Sequence, residues 1–107
     1  MRVLLDECVP RPLRRELAGH DDQTVQELGW AGKRNRELIE LIRTADHDAF
    51  VTTDQRLEYQ QNIAAARIPL IVLVSQRNTL QGLLPLVPKL RLSLRRIRPG
   101  QIVHIGV

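Results

Sequence analysis

The chain has 107 residues, 43% of them apolar, with one cysteine and a formal net charge of +4. That length fits one domain, residues 1–107, and not two. No apolar run approaches the roughly 20 residues of a membrane helix, no signal-peptide pattern precedes Val3, and one cysteine fits a reducing, cytoplasmic setting. The charge is divided along the chain. All 12 carboxylates lie in residues 1–58, beside nine Lys/Arg, whereas residues 59–107 hold seven Lys/Arg and no carboxylate. An acidic first part and a purely basic second part point to a nucleic-acid partner or an acidic protein partner.

Val3-Leu4-Leu5 is a short apolar run ending at Asp6-Glu7, the pattern of a buried first strand. Pro10 and Pro12 suit a first helical turn, and Leu13 and Leu17 predict a short amphipathic helix closed by Gly19. Gln23-Thr24-Val25 is a second, weaker strand, followed by the loop Gly29-Trp30-Ala31-Gly32. Leu38, Ile39, Leu41 and Ile42 predict a helix over 35–45, with Asn35 as its N-cap. Ala49 to Thr53 is the third strand and Leu70 to Val74 the fourth. From Leu80, the positions Leu83, Leu84, Val87, Leu90, Leu94 and Ile97 trace a helical face, which Pro85 and Pro88 should kink or split. Gln101 to Ile105 alternates as an edge strand. Strands separated by helices require right-handed crossovers and a mostly parallel sheet, hence an α/β fold.

Asp6 and Asp54 each follow an apolar strand directly. Ligands of open α/β sheets bind beyond the carboxyl ends of strands, where strand order reverses. Neighbouring strands lie about 5 Å apart, and Glu37 opens the intervening helix, so the three carboxylates are expected to meet. Two such charges 5 Å apart repel by roughly 3 kcal/mol at an effective dielectric near 20. A raised pKa, a basic partner or a bound cation must offset that. All-oxygen ligands suit Mg²⁺ or Mn²⁺, and such an ion activates water for hydrolysis at phosphate. Taken singly, Asp6 and Asp54 also fit turn or cap residues, and Glu37 a first-turn acid favouring the helix dipole.

These residues resemble the PIN-like family of small bacterial proteins, relatives of the PIN-domain ribonucleases that include VapC-type toxins. The likeness rests on Val3-Leu4-Leu5-Asp6-Glu7, on Asn35-Arg36-Glu37-Leu38 and on Phe50-Val51-Thr52-Thr53-Asp54. Tyr59-Gln60-Gln61-Asn62 and residues 84–88 resemble a narrower subgroup. The resemblance implies a three-layer α/β/α sandwich with a mostly parallel central sheet and a catalytic site for Mg²⁺ or Mn²⁺ held by Asp6, Glu37 and Asp54. Glu7, Asn35 and Thr53 would support it. It also implies RNA cleavage by the toxin of a toxin–antitoxin pair. The expected partners are RNA, a small antitoxin protein and a second copy of the chain, with no membrane. Two positions depart from the pattern, because Arg56 and Asn35 stand where many relatives carry Asp. Three carboxylates match one metal ion better than two.

The basic end supplies the expected RNA contacts. Arg91, Arg95 and Arg98 recur at helical spacing, with Lys89 and Arg96 nearby, a set able to neutralise several phosphates or simply to solvate a helix face. The only aromatic residues are Trp30, Phe50 and Tyr59, so RNA contact should fall on the backbone and not on stacked bases. The amides of Tyr59-Gln60-Gln61-Asn62 read as a helix cap before a phosphate contact. Trp30 reads as a loop anchor, Cys8 as inert beside two carboxylates, and His20, His47 and His104 as surface or strand-end residues. Two other functions share part of the pattern. A receiver domain would use Asp6-Glu7, Asp54 and Ser75, but it needs a lysine ending the fifth strand, and residues 101–107 have none. A non-catalytic interaction module would use the acidic pocket to receive a partner's arginine.

Overall fold

The computed structural model describes residues 1–17, 19–60 and 63–106, with only the backbone of Asn35 and Gln60. Five strands form one wholly parallel sheet: β1 (Arg2–Leu5), β2 (Asp21–Thr24), β3 (Ala49–Thr52), β4 (Leu70–Val74) and β5 (Ile102–Gly106). Their spatial order is β2-β1-β3-β4-β5. From β1 the chain crosses to β2 on one side and then returns to β3 on the other. The reversal therefore falls between β1 and β3, where a parallel sheet opens a crevice at its carboxyl end.

Alternating side chains divide the core between the two faces of the sheet. On one face Val3, Leu5, Val51, Ile71 and Leu73 pack under a 3-10 helix (Arg11–Leu17) and the segment α3 (Leu80–Leu83) to α4 (Val87–Arg96). On the other, Leu4, Phe50, Leu70 and Val72 pack under α1 (Asn35–Ala45) and α2 (Leu57–Gln60). β3 is buried at every position and β4 at all but its last. Cover on both sides is why these strands read as continuous apolar runs and not as alternation. The architecture is the expected three-layer α/β/α sandwich.

Several local expectations need correction. The segment after Pro10 is a 3-10 helix, not an α-helix, and Leu13 N bonds Pro10 O at i→i+3. The N-cap of α1 is Arg34, extended at φ −64° and ψ 149° with no side-chain cap, so Asn35 is the first helical residue. Pro85 and Pro88 do split the last helical segment, inserting a 3-10 turn at Leu84–Leu86. That turn shifts the phase: Leu86 takes the buried position expected of Leu84. α4 ends at Arg96 and Ile97 is extended, so Arg98 lies off the helix and cannot share a face with Arg91. His47 is 6% exposed, its Nε2 on Gln23 Oε1 at 2.8 Å and its ring edge-on to Trp30, not at the surface. Among the described residues no helix is long and apolar enough to cross a membrane.

Candidate functional site

Asp6 extends β1 by one residue, its N–H donating to Val51 O at 2.9 Å. Because Leu5 lies opposite Val51, the next step of the register sets Asp6 beside Thr52. The Thr52 hydroxyl, fully buried, donates to Asp6 Oδ2 at 2.7 Å and accepts from the Asp54 N–H at 3.0 Å. One hydroxyl thus joins the ends of the two strands that flank the reversal of strand order. Asp6 Oδ1 accepts from the Glu7 N–H at 2.8 Å, and the Cys8 thiol lies 3.6 Å from Asp6 Oδ2 and 3.4 Å from Thr52 Oγ1. Asp54 is half-buried, with its Oδ1 on the Arg56 N–H at 2.9 Å.

Burial governs the electrostatics of this pocket. Asp6 is 7% exposed, and desolvation holds its carboxyl above the ordinary range. Hydrogen bonds from Thr52, the Glu7 N–H and Cys8 pull the other way, and the Glu7 charge adds to the rise. Loss of water outweighs the three donors.

The remaining expected site residues divide. Glu7 is exposed and turned toward the loop before α1: its Oε1 accepts from the Gly32 N–H at 3.5 Å and its carbonyl from Gln26 Nε2 at 3.3 Å. Glu37 is exposed too, on a shallow surface shared with Lys33, Arg36, Glu40 and Leu41. The cause is helical phase. Leu38, Ile39 and Ile42 face the sheet, and at 100° per residue position 37 lies roughly 150° around the helix from the centre of that stripe. Among the described residues no three Asp, Glu, His or Cys side chains come close enough to hold one ion. Asp6 and Asp54 are therefore brought to one edge, while Glu37 is not. The Thr53 hydroxyl reaches Cys8 O at 3.5 Å, and the supporting role at the carboxylate belongs to Thr52. The side chain of Asn35, and Gln61 and Asn62 of the Tyr59–Asn62 stretch, lie outside the described residues.

The basic set also divides. Lys89 Nζ donates to Gly106 O at 3.2 Å, and Arg91 holds Glu16 through its carbonyl and carboxylate. Arg95, Arg96 and Arg98 are exposed, but α4 runs back toward the start of β5. Ile97 and Pro99 share a cleft of about 350 Å³ with Met1, His47 and Pro69, at the end of the sheet where strands begin. These three arginines therefore lie at the opposite end from Asp6 and Asp54. Arg56 and Arg77, both exposed in the segments after β3 and β4, belong to the carboxylate end. Sequence reasoning weighed Arg56 only as a departure from the family pattern and passed over Arg77, although their place just after strand ends was a usable signal.

A two-carboxylate edge with a buried hydroxyl between them, at the reversal of strand order, suits binding of a hard cation or of a phosphate-bearing ligand through one. No curated protein and no solved structure matches the chain. A family model described as "PIN like domain" matches residues 1–75, a span that holds β1 to β4 with Asp6, Glu37, Thr52 and Asp54. The chain belongs to the PIN-like family.

Proposed function

We propose that the chain is a metal-dependent endoribonuclease of the PIN-like type, the toxin of a toxin–antitoxin pair, with Asp6 and Asp54 as the residues that hold Mg²⁺ or Mn²⁺. The observation that carries this reading is the joining of both residues through the Thr52 hydroxyl at the β1/β3 edge. The donor set fits in kind. Asp6 Oδ1 has one protein donor, the Glu7 N–H, and retains a second lone pair, while Oδ2 is taken by the Thr52 hydroxyl and the Cys8 thiol. Mg²⁺ commonly takes one or two carboxylates, filling its shell with waters and substrate phosphates. When bound, the ion would lower the pKa of a water and neutralise charge on phosphate. Thr52 fixes the Asp6 rotamer and the Asp54 backbone, so that neither must be ordered when substrate arrives. Arg56 and Arg77, in the segments after β3 and β4, would steer the RNA backbone toward this edge.

A second reading, a non-catalytic PIN-like interaction module, is favoured by the outward turn of Glu37 and the lack of a three-acid cluster among the described residues. Incubation of the purified chain with single-stranded and structured RNA, with Mn²⁺, Mg²⁺ or EDTA, separates the two. The nuclease gives metal-dependent fragments that disappear in Asp6→Asn and Asp54→Asn. The module gives none with either metal.

A further inference from the structure

The two edges of the sheet are finished differently. Asp21 N bonds Met1 O and Val25 N bonds Leu5 O, so the alternation of a parallel ladder turns the backbone groups of Asp22 and Thr24 outward from β2. Both of those carbonyls are taken, Asp22 O by Arg14 Nη2 at 3.4 Å and Thr24 O by the Leu28 N–H at 3.2 Å. At the other edge, Leu70 N bonds Gln101 O. Gln101, Val103 and Ile105 therefore serve β4, while the N–H and C=O groups of Ile102, His104 and Gly106 face out. Among the described residues, only the last of these carbonyls, that of Gly106, meets a side chain, Lys89. An edge left in this state is a template for one more strand.

Beside that edge runs a groove of about 270 Å³ lined by Leu92, Ser93, Arg96, Ile97, Gln101 and Val103. Its apolar lining includes Leu92, 46% exposed, and Lys89, Leu92 and Arg96 follow one another along the flank of α4 that faces β5. Residues 59–107 contain no carboxylate, and the nearest acid, Glu58, is paired with His104. The charged residues of the groove and its α4 flank, Arg96 and Lys89, are thus both positive, beside the apolar Leu92, Ile97 and Val103.

We propose that the β5 edge and this flank of α4 form a docking site for an acidic extended peptide, which adds to the sheet as a sixth strand. A strand supplies both donors and acceptors to match the alternating groups of Ile102 and His104, while its alternate side chains rest on Leu92 and Val103 or meet Arg96 and Lys89. RNA fits less well, because phosphate offers acceptors only and would face the outward carbonyls. A second copy of the chain fits less well, because it would set one basic rim against another. The site lies outside residues 1–75 and does not depend on the nuclease reading.

The test is a fluorescence-anisotropy titration of the full chain with a labelled peptide of alternating valine and glutamate, seven residues long, at low salt. Saturable one-to-one binding is expected, weakened about tenfold or more in Arg96→Glu, where a rim attraction becomes a repulsion. Methylating alternate backbone nitrogens of the peptide should weaken it at least as much, since pairing at the edge is lost. Both Arg96 and the peptide backbone are exposed, so the protein's circular dichroism should be unchanged. Any of three results overturns the proposal: equal binding of the methylated peptide, no effect of Arg96→Glu, or no saturation by about 1 mM. Displacement of the peptide by an equal concentration of a seven-nucleotide RNA would overturn it in favour of a phosphate-binding face, and self-association abolished by Arg96→Glu would overturn it in favour of a second copy. RNA cleavage is not part of the readout, so loss of the nuclease reading leaves this test intact.

Discussion

Replacing Thr52 by valine keeps the shape of a fully buried side chain and removes one hydroxyl. Asp6 Oδ2 loses its 2.7 Å donor and the Asp54 N–H its 3.0 Å acceptor. A hydrogen bond to an ionised group is worth about 1.5–3 kcal/mol and a neutral one about 0.5–1.5, while the added methyl returns about 0.8 kcal/mol. A net loss of about 2 kcal/mol at pH 7 follows. The loss depends on pH with a definite sign. Burial raises the Asp6 carboxyl above its ordinary 3.8, so this group favours the folded state fully below that value and progressively less as pH rises through its folded pKa. Thr52 opposes the rise, so its removal lifts the folded pKa further and widens the deficit with pH. At pH 3, with Asp6 protonated in both proteins, the deficit should shrink to about 1 kcal/mol. Urea unfolding in EDTA, followed by the fluorescence of Trp30, measures it. A deficit under about 0.5 kcal/mol at pH 7, or the same deficit at both pH values, would refute the bridging role of Thr52.

Glu37→Gln should leave metal-dependent RNA cleavage within about threefold of the unmodified chain, whereas Asp6→Asn lowers it by roughly 100-fold or more; equal collapse in both would show that Glu37 reaches the site after all. His47 is held below its ordinary 6.5 chiefly by burial, with Arg2 adding to the fall. Its stabilising contribution is complete above 6.5 and lost as pH falls through the folded value, so His47→Gln should flatten the acid side of a stability–pH curve, and parallel curves would contradict this. Arg14 ties Asp22 at 2.8 Å and also Glu27, but it is half-buried and still reached by water. Arg14→Ala should therefore cost only about 0.5–1 kcal/mol by urea unfolding and less at high salt.

The layered fold was legible because the apolar runs Val3–Leu5, Phe50–Val51 and Leu70–Val74 needed cover on both faces, and the helical segments between them left few parallel alternatives. Asp6 and Asp54 were placed by the same logic, as the first carboxylates beyond two buried strands. Glu37 was misplaced although its cue was present. The apolar phase of Leu38, Ile39 and Ile42 fixes which way position 37 points, and proximity to a helix start does not override it. Thr52 was passed over for Thr53 because choosing between adjacent threonines needs the β1/β3 register, and no local pattern encodes a pairing between distant segments. The basic set failed for a similar reason: Lys89, Arg91 and Arg96 look contiguous in sequence, but one is bound to Gly106, one to Glu16, and the third lies beside an edge strand. The split produced by Pro85 and Pro88 was foreseen, but the residue it brings inward was not, since a 3-10 turn advances the phase by a different angle per residue.

Asp6 and Thr52 stand 46 positions apart, with β1 held between β2 and β3. During translation the first strand therefore has only a weak, partly polar neighbour until residues 49–52 have been made. At ribosomal rates of about 5–20 residues per second, that interval lasts roughly two to nine seconds. Throughout it, one long edge of an apolar strand waits unpaired and the acidic pocket does not yet exist. A growing chain consequently lacks the pocket and is vulnerable to aggregation at the same time, and both conditions end with a single pairing event.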